Sequence, residues 1–109
     1  MHAKTSEFGT DLQDLAQAAK LLSHPARIAI IKLLAEKKTC ISGDIANELP
    51  LSRTTVSQHL QELKNAGLIR GDISGLNVNY CLNVERWTDI KAQFESLFAI
   101  TTHNINCHC

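Results

Sequence analysis

The segment 42–67 most constrains what this 109-residue chain can fold into, because it carries the start and stop signals of two consecutive helices. Ser42 is suited to cap a short helix and Pro50 to end it, since proline lacks the N–H that a continuing helix needs. Ser52 can cap a longer second helix, and Gly67 suits the left-handed position that commonly follows a helix. A short helix, a tight turn and a longer helix predict a helix-turn-helix.

The flanking sequence extends this pattern to a fold. Apolar spacing predicts two helices before the segment, over 11–22 and 25–37, with Thr10 and Gln13 as a capping box for the first. The second is apolar over most of its circumference, which predicts that it is covered on several sides. Two extended runs, 68–73 and 76–82, predict a hairpin around Ser74-Gly75, and a last helix follows over 85–100. The predicted fold is mostly α with a small β-hairpin wing: a winged helix-turn-helix in the order α-α-α-α-β-β-α.

Composition places this fold in one globular domain. We expect a flexible N-terminal tail over 1–10, a domain over 11–100 and a C-terminal tail containing Cys and His over 101–109. Lys plus Arg equal Asp plus Glu at 11 each, which argues against binding nucleic acid through bulk charge but leaves open a reader with its cations on one face. No signal peptide or membrane span is evident, so we expect a cytoplasmic protein with reduced thiols.

The fourth predicted helix has a face suited to DNA. Val56, Leu60 and Leu63 form its inward stripe, and His59 lies near the buried flank, where we interpret it as a packed or capping residue. Arginine can pair with guanine and glutamine with adenine, whereas hydroxyls and a helix N-terminus can hold phosphates. The candidate DNA-binding residues are Ser52, Arg53, Thr54, Ser57, Gln58, Gln61, Lys64, Arg70 and, at the hairpin tip, Asn77. The alternative is an ordinary solvated face.

Several strings of this sequence carry a family resemblance. They are Leu22-Ser23-His24-Pro25-Ala26-Arg27, Gly43-Asp44-Ile45-Ala46, Leu51-Ser52-Arg53-Thr54-Thr55-Val56-Ser57-Gln58-His59-Leu60, Leu63-Lys64-Asn65-Ala66-Gly67-Leu68-Ile69, and Tyr80 in the wing. Over roughly residues 12–98 the chain resembles the ArsR/SmtB family of metal-responsive bacterial repressors. The resemblance implies a homodimer formed through the first and fifth helices, binding to a near-palindromic operator in the protein's own promoter, and release of the DNA by an inducer. The aromatic stripe of the fifth helix, which is large for so small a domain, agrees with such an interface.

The cysteines suggest what the inducer is. Cys107 and Cys109 lie two residues apart near the C-terminus, and Cys40 is a candidate third ligand. Three thiolates suit arsenite, antimonite or another thiophilic metal ion, whereas DNA binding itself requires no cofactor. The chain departs from the family here, since arsenic-sensing members commonly carry a Cys-x-Cys pair where this one has only Cys40. Zinc-sensing members use Asp and His pairs on the last helix, where Asp89 is followed by Lys91, so that zinc site is expected to be absent.

Other functions remain open at this point. A thiol-oxidation sensor is the main rival to a metalloid sensor, with Cys81 interpreted as structural. A winged helix that binds a protein and no DNA is compatible with the neutral net charge. No phosphate-binding loop and no catalytic constellation is evident, so we expect no enzyme.

Overall fold

A computed structural model describes residues 3–37, 41–42, 48–72 and 79–102, with side chains described for 5–37, 48–71 and 79–100. Within these ranges the chain forms a short 3-10 helix at Ala3–Glu7 and four α-helices. The α-helices are α1 (Thr10–Leu21), α2 (Pro25–Lys37), α3 (Arg53–Asn65) and α4 (Val84–Thr102). The helices α3 and α4 correspond to the fourth and fifth predicted helices. None of the helices in the described ranges is long and apolar enough to cross a membrane.

The predicted hairpin is part of a three-stranded antiparallel sheet. Its strands β1 (Ile41–Ser42), β2 (Ile69–Asp72) and β3 (Asn79–Leu82) lie in the order β1-β3-β2, and β2–β3 forms the wing. Ser42, predicted as a helix cap, pairs with Asn79 in the sheet. The predicted hairpin tip and most of the predicted short third helix lie outside the described residues. The architecture is a winged helix-turn-helix, as predicted, with one more strand than the sequence pattern shows.

Two glycines occupy backbone positions that favour glycine. Gly67 has φ +82° after α3, where the Leu68 N–H donates to the Leu63 carbonyl at 3.0 Å, so the predicted left-handed helix end is confirmed. Gly71 has φ +128°, and an added Cβ would lie 2.0 Å from the carbonyl oxygen of Asn79 across the hairpin. The tight pairing of β2 with β3 therefore depends on the missing side chain.

The start of α1 differs from the prediction. Gly9 is the N-cap and Thr10 the first helical residue, with no side-chain hydrogen bond at the cap. Gln13 instead donates from Nε2 to the carbonyl oxygen of Phe8 at 2.6 Å. The proposed Thr10–Gln13 capping box is therefore wrong, because the helix begins one residue earlier than the pattern implied.

The core lies where α2, α3, the wing and α4 meet. Its largest fully buried side chains are Ile30, Leu63, Leu68, Ile69, Tyr80 and Ile90. Trp87 on α4 donates from Nε1 to the Leu68 carbonyl at 3.0 Å, which joins α4 to the chain between α3 and the wing. Helix α2 is covered less than expected, since it buries Ala26, Ile30 and Leu34 while Ile28 is 46% exposed.

Candidate nucleic-acid interface

The N-terminus of α3 is capped from within the chain. Ser52 accepts a hydrogen bond from the Thr55 N–H at 3.2 Å and donates from Oγ to Oγ1 of Thr55 at 2.9 Å. Since this hydroxyl serves the helix, its role as the predicted cap is confirmed. The first turn of α3 contains no acidic residue. Within the helix itself, no carboxylate therefore neutralises the positive end of the dipole.

The outward face of α3 is polar and accessible. The side chains of Arg53, Thr54, Ser57, Gln58 and Gln61 are all exposed, at the positions that helical periodicity assigned to the face away from the core. Gln61 donates to Asn65 Oδ1 at 2.9 Å, one turn further along the helix. Their contact with DNA remains a prediction.

The inner face of α3 is fully packed. Val56, Leu60 and Leu63 are at most 3% exposed, which confirms the predicted stripe. His59 is buried beside them, which confirms its interpretation as a packed residue. The outward side chains are thus presented from a helix whose opposite face is held in the core.

A polar cluster joins the flank of α3 to α2. Arg27 donates from Nε to His59 Nδ1 at 3.1 Å and forms a salt bridge through Nη2 with Glu62, the only acidic residue of α3. The ring of His59 lies 4.4 Å from that of His24, whose Nδ1 accepts from the Ala26 N–H at 3.0 Å. Burial, followed by the nearby His24 and Arg27, lowers the pKa of His59, and Glu62 opposes this effect.

Sequence analysis did not assign a role to Arg27. His59 and Glu62 are three residues apart, so both acceptors lie on one flank of α3 beside a buried stripe. His59 is buried, so an acceptor on its ring requires a donor from another element, whereas Glu62 is exposed and can also be hydrated. That spacing was the available signal, although it does not reveal which residue supplies the donor.

The remaining predicted DNA contacts are placed less uniformly. Lys64 is half-buried near the end of α3, and Arg70 on β2 is exposed, with Nη2 3.9 Å from the Glu85 carboxylate. Such an exposed pair is weak, so Arg70 can leave it for a phosphate at little cost. Asn77 lies outside the described residues.

The predicted inducer ligands Cys40, Cys107 and Cys109 also lie outside the described residues. Within the part of the chain that is described, no three His, Cys, Asp or Glu side chains group closely enough to hold a metal ion. Cys81 is half-buried on β3. On α4, Lys91 lies 3.9 Å from Glu95 in an exposed pair one turn apart.

Comparisons with known proteins agree with this geometry. Residues 24–70 match the family described as bacterial regulatory protein, arsR family. The chain is 37% identical over 71 residues to the HTH-type transcriptional repressor SmtB of Mycobacterium tuberculosis, a match that covers 65% of this chain and 52% of SmtB. It is 35% identical over 72 residues to the transcriptional repressor PagR of Bacillus anthracis, covering 66% of this chain and 72% of PagR.

One solved structure matches the whole length of the chain. It is a homodimeric winged helix-turn-helix DNA-binding domain from Mycobacterium bovis, with a TM-score of 0.56, 24% identity and coverage of 100% of this chain and 94% of that one. At this identity the likeness shows the fold. The chain spans about half the length of SmtB, and the matched region contains α2, α3 and the first residues of the wing. By the family match and the similarity to PagR, the chain belongs to the ArsR family of bacterial transcriptional regulators, which are not enzymes.

Proposed function

We propose that this chain is a cytoplasmic transcriptional repressor that binds double-stranded operator DNA as a homodimer and is released by a thiol-binding inducer. The observation that carries the proposal is the pair of faces on α3: an exposed polar face backed by a buried apolar stripe. Helices that read DNA in this fold enter the major groove in this way. SmtB and PagR are both named repressors, which supports repression over activation as the effect of this chain on transcription.

The chemistry of the α3 face favours a nucleic-acid partner over a protein. Its exposed side chains are hydroxyls, amides and one guanidinium, and the only carboxylate of the helix is held by Arg27. Nothing on this face therefore repels phosphate. Arg53 and Gln58 are side chains that can pair in bidentate fashion with guanine and adenine, while Thr54 and the helix N-terminus, whose first turn holds no acidic residue, suit the DNA backbone.

The proposed homodimer is supported by apolar side chains that the single chain leaves exposed. They are Phe8 and Leu12 at the N-terminal side, and Leu97, Phe98 and Ile100 near the end of α4. Helices α1 and α4 are joined by Arg86, which donates to both carboxylate oxygens of Asp14, at 2.9 and 3.3 Å. A second copy using the same surfaces would cover this apolar area and place two α3 helices about a two-fold axis.

DNA binding is tested on the duplex upstream of the protein's own coding sequence, with a shuffled duplex of equal length as competitor. We expect a preference for the upstream duplex, and tighter binding as salt falls. Ser57→Ala and Gln58→Ala should weaken specific binding, Gln58→Ala by about 1–3 kcal/mol, more than they weaken binding to the shuffled duplex. Gln17→Ala, which changes an exposed glutamine on α1, is the matched control.

Two outcomes would contradict this part of the proposal. Equal losses on both duplexes would remove Ser57 and Gln58 from base reading. Equal affinity of the wild type for both duplexes would favour the alternative of a winged helix that binds a protein partner.

The inducer is proposed to be arsenite, antimonite or another thiophilic metal ion held by Cys107, Cys109 and Cys40. Thiolates at these positions have the softness that such ions select. Titration calorimetry with arsenite on the wild type and on the Cys107→Ser/Cys109→Ser variant tests the site, with Cys81→Ser as the matched control. Equal affinity in wild type and double variant would remove the C-terminal pair from the site. Release of DNA by peroxide with no response to arsenite would favour the redox-sensing alternative.

A further inference from the structure

The contact between α3 and the rest of the domain has a polar part as well as an apolar part. The apolar part is the Val56, Leu60 and Leu63 stripe. The polar part is the guanidinium of Arg27, which engages three acceptors on two other segments. Its Nε donates to His59 Nδ1 at 3.1 Å, its Nη1 to the Leu21 carbonyl at 3.4 Å, and its Nη2 meets the Glu62 carboxylate.

We propose that Arg27 and His59 form a clamp that positions α3 for DNA reading and that closes only while the His59 ring is neutral. The proposal rests on the proposed function. Arg27 is a positioning residue in it, since it acts through His59 and Glu62. The clamp connects the last residue of α1, through α2, to the recognition helix α3.

The hydrogen-bond geometry requires a neutral ring. Nδ1 of His59 can accept from Arg27 only when it carries no proton, because both nitrogens of an imidazolium are donors. Protonation would therefore point the Nδ1–H of His59 directly at the Nε–H of Arg27. It would also place a positive charge beside the guanidinium. His59 is 8% exposed, so little water is available to compensate.

The groups around His59 come from each neighbouring segment. His24 lies in the turn before α2 with its ring 4.4 Å away, Arg27 lies on α2, and Glu62 lies on α3 itself. Lys20 of α1 lines a surface recess together with His24, Arg27 and Glu62. Glu62 favours the charged ring, but it is already paired with Arg27, and the balance lowers the pKa of His59 below its ordinary value of about 6.5. The clamp is thus closed at pH values above the lowered pKa of His59, where the ring is neutral, and it opens as the pH falls through that pKa.

The position of the clamp determines what its opening affects. His59 directly follows Ser57 and Gln58, which lie on the outward face of α3. The buried stripe keeps the helix packed, but the guanidinium fixes its rotation relative to α1 and α2. Opening the clamp should therefore weaken specific DNA binding more than it weakens folding.

A first experiment needs no DNA. The histidine ring nitrogens of the full chain are followed by NMR against pH, with His59 assigned through His59→Gln. We expect a His59 ring protonated only on Nε2 near neutral pH and a titration midpoint that rises in Arg27→Met. Lys32→Met, which removes an exposed cation from the same helix, should leave the midpoint unchanged. A proton on Nδ1 in the neutral ring, or the same midpoint in wild type and Arg27→Met, would overturn the clamp.

A second experiment measures affinity for the upstream duplex at about pH 8 and about pH 5.5, at constant ionic strength. We expect the wild type to lose about tenfold in affinity on acidification relative to His59→Gln, whose amide oxygen can accept from Arg27 but does not titrate. Arg27→Met should be about tenfold weaker than wild type already at pH 8, and Lys32→Met should follow the wild type.

The outcomes separate the two proposals. Equal affinity of wild type for upstream and shuffled duplex at pH 8 overturns the proposed function, whatever the NMR titration shows. A retained preference with identical pH profiles for wild type and His59→Gln overturns the clamp alone. If Arg27→Met does not fold, the wild-type ring tautomer and the His59→Gln profile still decide the question.

Discussion

Helices α3 and α4 are both amphipathic, but the chain itself buries the whole apolar face of α3 and only part of that of α4. No side chain of the apolar stripe of α3 is more than 3% exposed, and every large apolar side chain of this helix lies in the core. Helix α4 buries Ile90, but leaves Leu97, Phe98 and Ile100 between 40% and 73% exposed. The outer surface of α3 therefore suits a polar partner such as the proposed DNA, whereas the end of α4 exposes apolar area that the proposed second copy of the chain would bury.

Truncating one leucine in each helix should give the largest difference in stability between α3 and α4. Leu63→Ala removes a fully buried side chain and should destabilise the domain by about 2–5 kcal/mol, because it leaves a cavity among α2, α3 and the wing. Leu97→Ala should lower the free energy of unfolding only slightly at low protein concentration, and by more at concentrations at which the dimer forms. Denaturant unfolding at two protein concentrations measures both. A Leu97→Ala cost that equals that of Leu63→Ala and does not depend on concentration would contradict the distinction.

A charge on α4 should separate dimerisation from folding. Phe98→Glu places a carboxylate on the exposed apolar end of the helix, so we expect a folded monomer by sedimentation. Because two linked reading helices bind more tightly than one, affinity for the upstream duplex should fall by about a hundredfold. Glu95→Gln, an exposed change on the same helix, is the control. A Phe98→Glu protein that remains dimeric would place the interface elsewhere.

The two helices also differ in how far the sequence determined them. The inner stripe and outer face of α3 follow from a period of 3.6 residues, so both could be predicted. The aromatic stripe of α4 was equally visible, but the sequence does not tell which part, Ile90 or Phe98, the chain itself covers. That division depends on where α4 extends beyond the core, which is a tertiary property.

Long-range pairs account for most of what sequence reasoning missed. Arg27 and His59 are 32 residues apart, and neither residue type specifies the other. The β1–β3 pairing joins Ile41 to Tyr80 through a strand of two residues, too short to give an alternating pattern. The candidate DNA face could be predicted from the sequence because all of its residues lie on one helix. The clamp that holds this face could not be predicted, because Arg27 and His59 lie on different helices.

The smallest expected effect concerns the bond between α1 and α4. Asp14 accepts from Arg86 and from Gln93, and these hydrogen bonds, the one from Arg86 first, lower the pKa of Asp14 below its ordinary value of about 3.8. A carboxyl with a lowered pKa stabilises the fold above its unfolded pKa, and that stability is lost as pH falls through the folded value. Asp14→Asn should therefore lower the thermal midpoint modestly at neutral pH, and the difference from wild type should shrink below about pH 4. Asp11→Asn, at an exposed aspartate of the same helix, controls for the general effect of charge. A difference between Asp14→Asn and wild type that persists unchanged into acid would mean that packing, and not the ion pair, joins α1 to α4.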